Sequence, residues 1–138
     1  MLLQEYITDC FTSFARHFRI STVSLNNTIS LFSIDEKKQD DMSKVASNHV
    51  NGGSLTFCPD NKCDFLTDTE NMYIHDITRQ LFLLHKNRFK NVPFIGWDVC
   101  LTCKGPYVFE GNLGGSVEWN HEKYINIMEQ VYNGTSNK

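Results

Sequence analysis

Residues 95–112, IGWDVCLTCKGPYVFEGN, can segregate acids from apolar side chains in one simple way, as a β-hairpin. Ile95 to Thr102 and Pro106 to Asn112 are strand-like runs around Cys103-Lys104-Gly105. A three-residue hairpin loop wants φ > 0 at its last position, and Gly105 stands there. The register that follows sets Thr102 opposite Pro106, Cys100 opposite Val108, Asp98 opposite Glu110, and Gly96 opposite Asn112. The other face then carries Trp97, Val99, Leu101, Tyr107, Phe109 and Gly111. Directly opposed Cβ atoms sit roughly 5 Å apart. Two carboxylates that close repel unless a cation lies between them or one is protonated. Two acids and an amide, all oxygen donors, suit Mg²⁺ or Mn²⁺ better than zinc, so the hairpin reads as a metal platform. The simpler alternative is a surface hairpin whose polar face meets water. Acid opposite acid, and glycines at 96, 111, 114 and 115 where backbone can approach a ligand, weigh against it.

The remaining composition sets bounds. A chain of 138 residues makes one domain, or a piece of one, and can bury roughly two-thirds of its unfolded surface. A net charge of −3 offers no basic footprint for nucleic acid. No apolar run is long enough to span a membrane, so neither partner is expected. The start, MLLQEYITDC, holds Gln4, Glu5 and Asp9 and lacks the basic region of a signal peptide. With five cysteines, an odd number, a reducing cytoplasm is the expectation. Cys58 to Cys63 and Cys100-x-x-Cys103 faintly resemble zinc spacings. Structural zinc uses shorter, paired knuckles, so scattered free thiols are the better reading.

Along the chain, Leu2 to Ile7 reads as a strand and Thr8 to His17 as mixed. Phe18–Leu25 and Thr28–Ile34 form a hairpin around Asn26-Asn27. Asp35 to Asp41 reads as a charged, solvated loop or frayed strand end, and Met42 to Asn51 as irregular. Gly53–Phe57 and Cys63–Leu66 are expected to be short strands. A helix over Ile74–Phe89 presents Ile77, Leu81, Leu84 and Arg88, widened by Phe82 and Leu83. A terminal helix over Glu122–Tyr132 stops near Gly134, and residues 135–138 fray. Antiparallel hairpins followed by helices give an α+β class: an antiparallel sheet with flanking helices. His75 and His85 fall on the first helix and are expected to be structural or exposed.

Three elements in this order carry a resemblance: Ile-Gly-Trp-Asp at 95–98, Thr-x-x-Gly-Pro at 102–106 and Glu-Gly-Asn at 110–112. Together they resemble the metal-binding hairpin of the ATP-grasp superfamily, in its sugar-transfer-associated branch related to α-L-glutamate ligases. LLQEYI resembles that family's hinge strand, FRISTV its Leu-Arg-Ile-x-Thr strand, and Asn48-x-x-x-Gly52-Gly53 its Asn and Gly-Gly turn. The likeness spans residues 2 to 115, and the last hairpin is its specific part.

The resemblance implies an ATP-grasp C-terminal subdomain over 1–134. It implies that Asp98, Glu110 and Asn112 hold Mg²⁺ or Mn²⁺ ions bridging ATP phosphates. Arg19 would stabilise negative charge on the phosphates or on an acyl-phosphate transition state. Gln4, Glu5, Tyr6 and Ile7 would line the adenine, and Asn48 would touch substrate or phosphate. The implied chemistry is ligation: ATP phosphorylates a carboxylate, and an amine or similar nucleophile displaces the phosphate. The family's phosphate-covering lysines belong to a lobe before the hinge, and Lys37, Lys38, Lys44 and Lys104 match none of them. Such a chain is expected to need that N-terminal lobe for turnover. The alternative is an inactive ATP-grasp remnant serving as a binding module.

Overall fold

The computed structural model describes residues 9–12, 15–39, 54–58, 65–113 and 121–136. Five strands and two helices run in the order β1 (Ala15–Leu25), β2 (Thr28–Gln39), β3 (Ser54–Cys58), α1 (Asp68–Arg88), β4 (Phe94–Thr102), β5 (Gly105–Asn112) and α2 (His121–Ser136). The strands form one sheet in the order β3-β2-β1-β4-β5, with every pairing antiparallel. The α+β expectation therefore holds.

The first hairpin turns at Asn26 and Asn27, with φ of 52° and 62°. Asparagine tolerates this left-handed region, and a two-residue turn of this hand matches the twist of the flanking strands. β2 runs on through Gln39, so the stretch from Asp35 is no solvated loop. Asp35, Glu36 and Lys37 are buried and belong to the sheet. Charge alone misled the sequence reading there, because long-range partners on β1 receive these side chains. β3 appears as expected, whereas Phe65 and Leu66 form a turn ahead of α1 rather than a strand.

Alternation along β1 sends Phe18, Ile20 and Thr22 to one face and His17, Arg19, Ser21 and Val23 to the other. Helix α1 covers the first face, where Phe18, Ile20, Ile34, Ile74, Ile77, Leu81, Trp97, Val99 and Leu101 form the main core. Each such aliphatic or aromatic side chain contributes about 1.5–3 kcal/mol on burial. The helix starts one and a half turns earlier than its apolar periodicity indicates. Thr67 and Glu70 close a reciprocal capping box. Its buried stripe is Ile74, Ile77, Thr78, Leu81 and His85, while Leu83 and Leu84 are exposed. Helix α2 packs at one end of the opposite face, where Tyr124, Ile127 and Met128 meet Val23, Phe32 and Phe94. It continues through Gly134 to Ser136, past the expected stop.

His85 is a structural residue, as expected, and its polar atoms are fully engaged. Trp97 Nε1 donates to Thr22 Oγ1 (2.9 Å), Thr22 Oγ1 lies 2.7 Å from His85 Nδ1, and His85 Nε2 lies 2.7 Å from the Val92 carbonyl. Nε2 must carry a proton, since the carbonyl can only accept, and in the neutral ring Nδ1 accepts from the Thr22 hydroxyl while that hydroxyl accepts from the indole. Burial also pushes the His85 pKa down.

A disulfide joins Cys10 to Cys103, which corrects the expectation of free thiols at those two positions. Spacing could not reveal a bond between residues 93 apart. Cys100 is a free, buried thiol, its pKa pushed up to about 11 chiefly by burial. Beside the disulfide, the buried Arg16 guanidinium gathers Asp9 (2.9 Å), Glu36 (3.5 Å) and Glu70 (2.6 Å). This cluster ties residues 9–12, two strands and the start of α1 together.

Candidate functional site: a charged sheet face

The β4–β5 hairpin sets the geometry. Gly105 has the expected positive φ, 110°. The register near the turn nevertheless differs from expectation: Thr102 pairs with Gly105, Leu101 with Pro106 and Cys100 with Tyr107. A β-bulge between Val99 and Asp98 then takes up one extra residue of β5. Beyond it Asp98 pairs with Glu110, Trp97 with Gly111 and Gly96 with Asn112, as expected. The bulge changes which aromatic faces the core. Val108 packs into it, whereas Tyr107 and Phe109 are half exposed. Phe109 stands on the charged face instead, its ring edge-on to His17 at 5.8 Å.

Three pairings line the site residues across the sheet: Asp35 opposes Arg19, Arg19 opposes Asp98, and Asp98 opposes Glu110. Arg19 supplies the cation that the opposed acids require. Its Nε donates to Asp98 Oδ1 (2.6 Å) and its Nη2 to Asp98 Oδ2 (2.9 Å), a bidentate pair. The Asp98 hydrogen bond is the foremost cause holding the Arg19 pKa above its ordinary value. Asp98 is 4% exposed, so water contributes little to its solvation. The Asn112 amide, turned to satisfy all its neighbours, donates to Glu110 Oε1 (3.1 Å) and accepts from Arg19 Nη2 (3.3 Å). The structure thus brings together Arg19, Asp98, Glu110 and Asn112. Gln4, Glu5, Tyr6, Ile7 and Asn48 lie outside the described residues.

Gly96 has a specific reason here. A Cβ at this position would sit 2.8 Å from Arg19 Cδ, so the missing side chain is what lets the arginine stem cross β4. Gly111 likewise makes room for the Trp97 ring, 3.2 Å from where its Cβ would be. The two glycines admit this chain's own side chains, rather than leaving backbone bare for a ligand as the sequence reading supposed. Gly114 and Gly115 lie outside the described residues.

Two further basic side chains share the face, and the sequence reading missed both as site residues. His17 pairs across β1 and β2 with Lys37, and its Nε2 lies 4.0 Å from Asp98 Oδ1. Burial pushes the His17 pKa down to about 4, so the ring is neutral at physiological pH. Lys37 is 8% exposed, and its pKa is drawn down by burial first and then by Arg19. The signal for both was positional. Once Arg19 faces Asp98, every second residue of β1, and its partner on β2, must share that face.

The donor set of Asp98, Glu110 and Asn112 is all oxygen, which fits a hard divalent cation. Glu110 is exposed and open to approach. Both Asp98 oxygens already accept from Arg19, so an incoming ion would share that carboxylate with the guanidinium. Among the described residues, no group of three or more His, Cys, Asp or Glu is arranged to hold a metal ion by itself. No helix among them is long and apolar enough to cross a membrane. No known protein-family model and no curated protein matches the chain.

Proposed function

We propose that this charged face is the nucleotide-phosphate and metal site of an ATP-grasp C-terminal subdomain, serving ATP-dependent activation of a carboxylate. The observation that carries the reading is the cluster of Arg19, Asp98, Glu110 and Asn112 from three adjacent strands. These are the residue types the resemblance assigns to metal and phosphate, in mutual contact on one face. Bound Mg²⁺ or Mn²⁺ would neutralise phosphate charge and orient the transferred group. The chain's own part is to hold carboxylates at a fixed separation and to aim a guanidinium whose charge survives at any working pH. Asn112 links Glu110 to Arg19 through its amide. An acyl phosphate needs charge stabilisation and no side-chain nucleophile, and the cluster contains none. ATP and Mg²⁺ are abundant in the cytoplasm, so the reading favours that compartment; the Cys10–Cys103 disulfide is the feature that a reducing cytosol opposes.

A second reading is favoured by one specific observation. Arg19 already neutralises Asp98 through both oxygens, so the face is stable without any metal. A remnant that keeps the fold and binds a partner would look the same.

Manganese relaxation separates the two. Titrating Mn²⁺ into the chain should broaden amide resonances around Asp98, Glu110 and Asn112 before any others. Glu110→Ala should abolish that effect at little cost in stability, because Glu110 is exposed and repels Asp98. Broadening that is equal in the variant, or absent from the wild type, would refute the metal assignment and leave the remnant reading.

A further inference from the structure

We infer that Asn26 is a glycan acceptor: its side-chain amide carries an N-linked oligosaccharide, added where an oxidising compartment also closes the Cys10–Cys103 disulfide. The inference concerns the surface and surroundings of the fold. It does not rest on the phosphate and metal reading above, and it departs from that reading's preference for the cytoplasm.

Two independent observations carry it. The first is the turn between β1 and β2. Asn26-Asn27-Thr28 is an Asn-x-Thr acceptor sequence, a pattern that marks a surface loop when it is used. A match in sequence is weak by itself, and placement decides whether it is usable. Here the asparagine stands in a two-residue turn closed by the Leu25–Thr28 pair, and Asn26, Asn27 and Thr28 are all exposed. A bulky polar group at this tip meets water rather than the core. It is also remote from the charged face, since Asn26 lies seven residues beyond Arg19, roughly 23 Å along the strand at about 3.3 Å per residue. Asn133-Gly134-Thr135 repeats the pattern, but within the helical backbone of α2, so it serves as the internal comparison.

The turn accounts for its two asparagines without any glycan, because both adopt the left-handed region. The second observation is therefore the one that decides. The Cys10–Cys103 disulfide is of a kind that persists in secreted chains and oxidising lumens and is rare in a reducing cytosol. It closes a segment already seated on the fold: the Cys10 amide donates to the Leu101 carbonyl, and neighbouring Asp9 pairs with buried Arg16. Asn-x-Thr acceptors are modified in secreted proteins, so the accessible acceptor and the disulfide call for the same surroundings. The step itself needs a glycosyl pyrophosphate donor. The Asn26 amide nitrogen bonds to the sugar's anomeric carbon, that carbon's bond to the pyrophosphate oxygen breaks, and the amide gives up one proton to the transferring enzyme. Nothing is oxidised or reduced.

The test reads the chain as its own cells make it. The protein is captured from them with an antibody, digested with peptide-N-glycosidase in heavy-oxygen water, and mapped by mass spectrometry. Asn26 should appear as aspartate carrying heavy oxygen. An unmodified Asn26 overturns the inference, and so does a label confined to Asn133. Free Cys10 and Cys103 in that material, alkylated before any reductant is added, overturn it as well. A second arm sends the full 138-residue chain through the secretory route of cultured animal cells behind a cleavable leader. Thr28→Val keeps both turn asparagines and a β-branched side chain at the start of β2, and removes only the hydroxyl. On a denaturing gel it should run faster than the wild type by one glycan, while Thr28→Ser should run with the wild type. Thr28→Val that co-migrates with the wild type overturns the inference. None of these failures touches the Mn²⁺ titration of Asp98 and Glu110, so the two readings fall separately.

Discussion

Replacing Arg19 with methionine asks whether this face is held together by its own cation. The substitution keeps most of the aliphatic stem above Gly96 and removes both donors to Asp98. Water cannot take their place, because Asp98 is 4% exposed. Removing one partner of a buried ion pair costs about 3–5 kcal/mol, because it strands the other charge. In a 138-residue chain that is a fall in Tm of roughly 10–15 °C. Asp98→Leu in the same background should recover the stability to within about 1 kcal/mol of wild type, since an apolar side chain leaves no charge unpaired. Urea unfolding of the three proteins measures all of this. A single-variant loss below about 1 kcal/mol would mean the pair is solvated and the buried-cluster argument is wrong.

Four further outcomes are expected. Reducing the Cys10–Cys103 disulfide, or Cys10→Ser, should lower stability by at most about 4–5 kcal/mol, the loop-entropy value for a 93-residue separation, seen as a shifted urea midpoint with reductant present. The same treatment should raise hydrogen exchange at the Cys10 amide, which bonds to the Leu101 carbonyl. Stability should decline as pH falls below about 6.5, because the unfolded chain then takes up protons that folded His85 and His17 refuse; His85→Gln should flatten part of that slope in pH-dependent melts. Gly96→Ala should cost about 1–3 kcal/mol through displacement of the Arg19 stem, and much less in an Arg19→Ala background, a coupling that a double-mutant cycle reads directly.

What the sequence made legible was local and periodic. Asn26-Asn27, Gly105 and the alternation of Trp97, Val99 and Leu101 each carry their own conformational signature, and each stands where that signature puts it. The capping box of α1 was equally readable in Thr67-x-x-Glu70, but apolar spacing, which begins only at Ile74, drew the helix boundary too late. Other features depend on partners distant in sequence. The burial of Asp35, Glu36 and Lys37 follows from β2 pairing with β1 and β3, and no feature of the DEKKQDD segment itself reveals it. The disulfide, the Arg16 cluster and the Arg19–Asp98 pair all join residues brought together only by the sheet order.

The Asp98–Glu110 pairing shows how a right pair can arise from incomplete geometry. Counting outward from a three-residue loop reaches that pair without a bulge, and it also sends Phe109 to the core. The real hairpin starts one residue tighter at Thr102 and Gly105, then gives the residue back at Phe109. Both paths arrive at Asp98 opposite Glu110, and only the second brings Phe109 onto the charged face beside His17. The difference matters for the chemistry. An aromatic edge against His17 helps to bury the ring, and a neutral His17 leaves Arg19 as the charged neighbour that Asp98 meets in hydrogen-bonding range. The acids of this hairpin therefore do not wait for a metal to hold them in place. Asp98 is neutralised from within by Arg19 of β1, and any ion or phosphate the face takes must enter an electrostatic arrangement already organised by that pair.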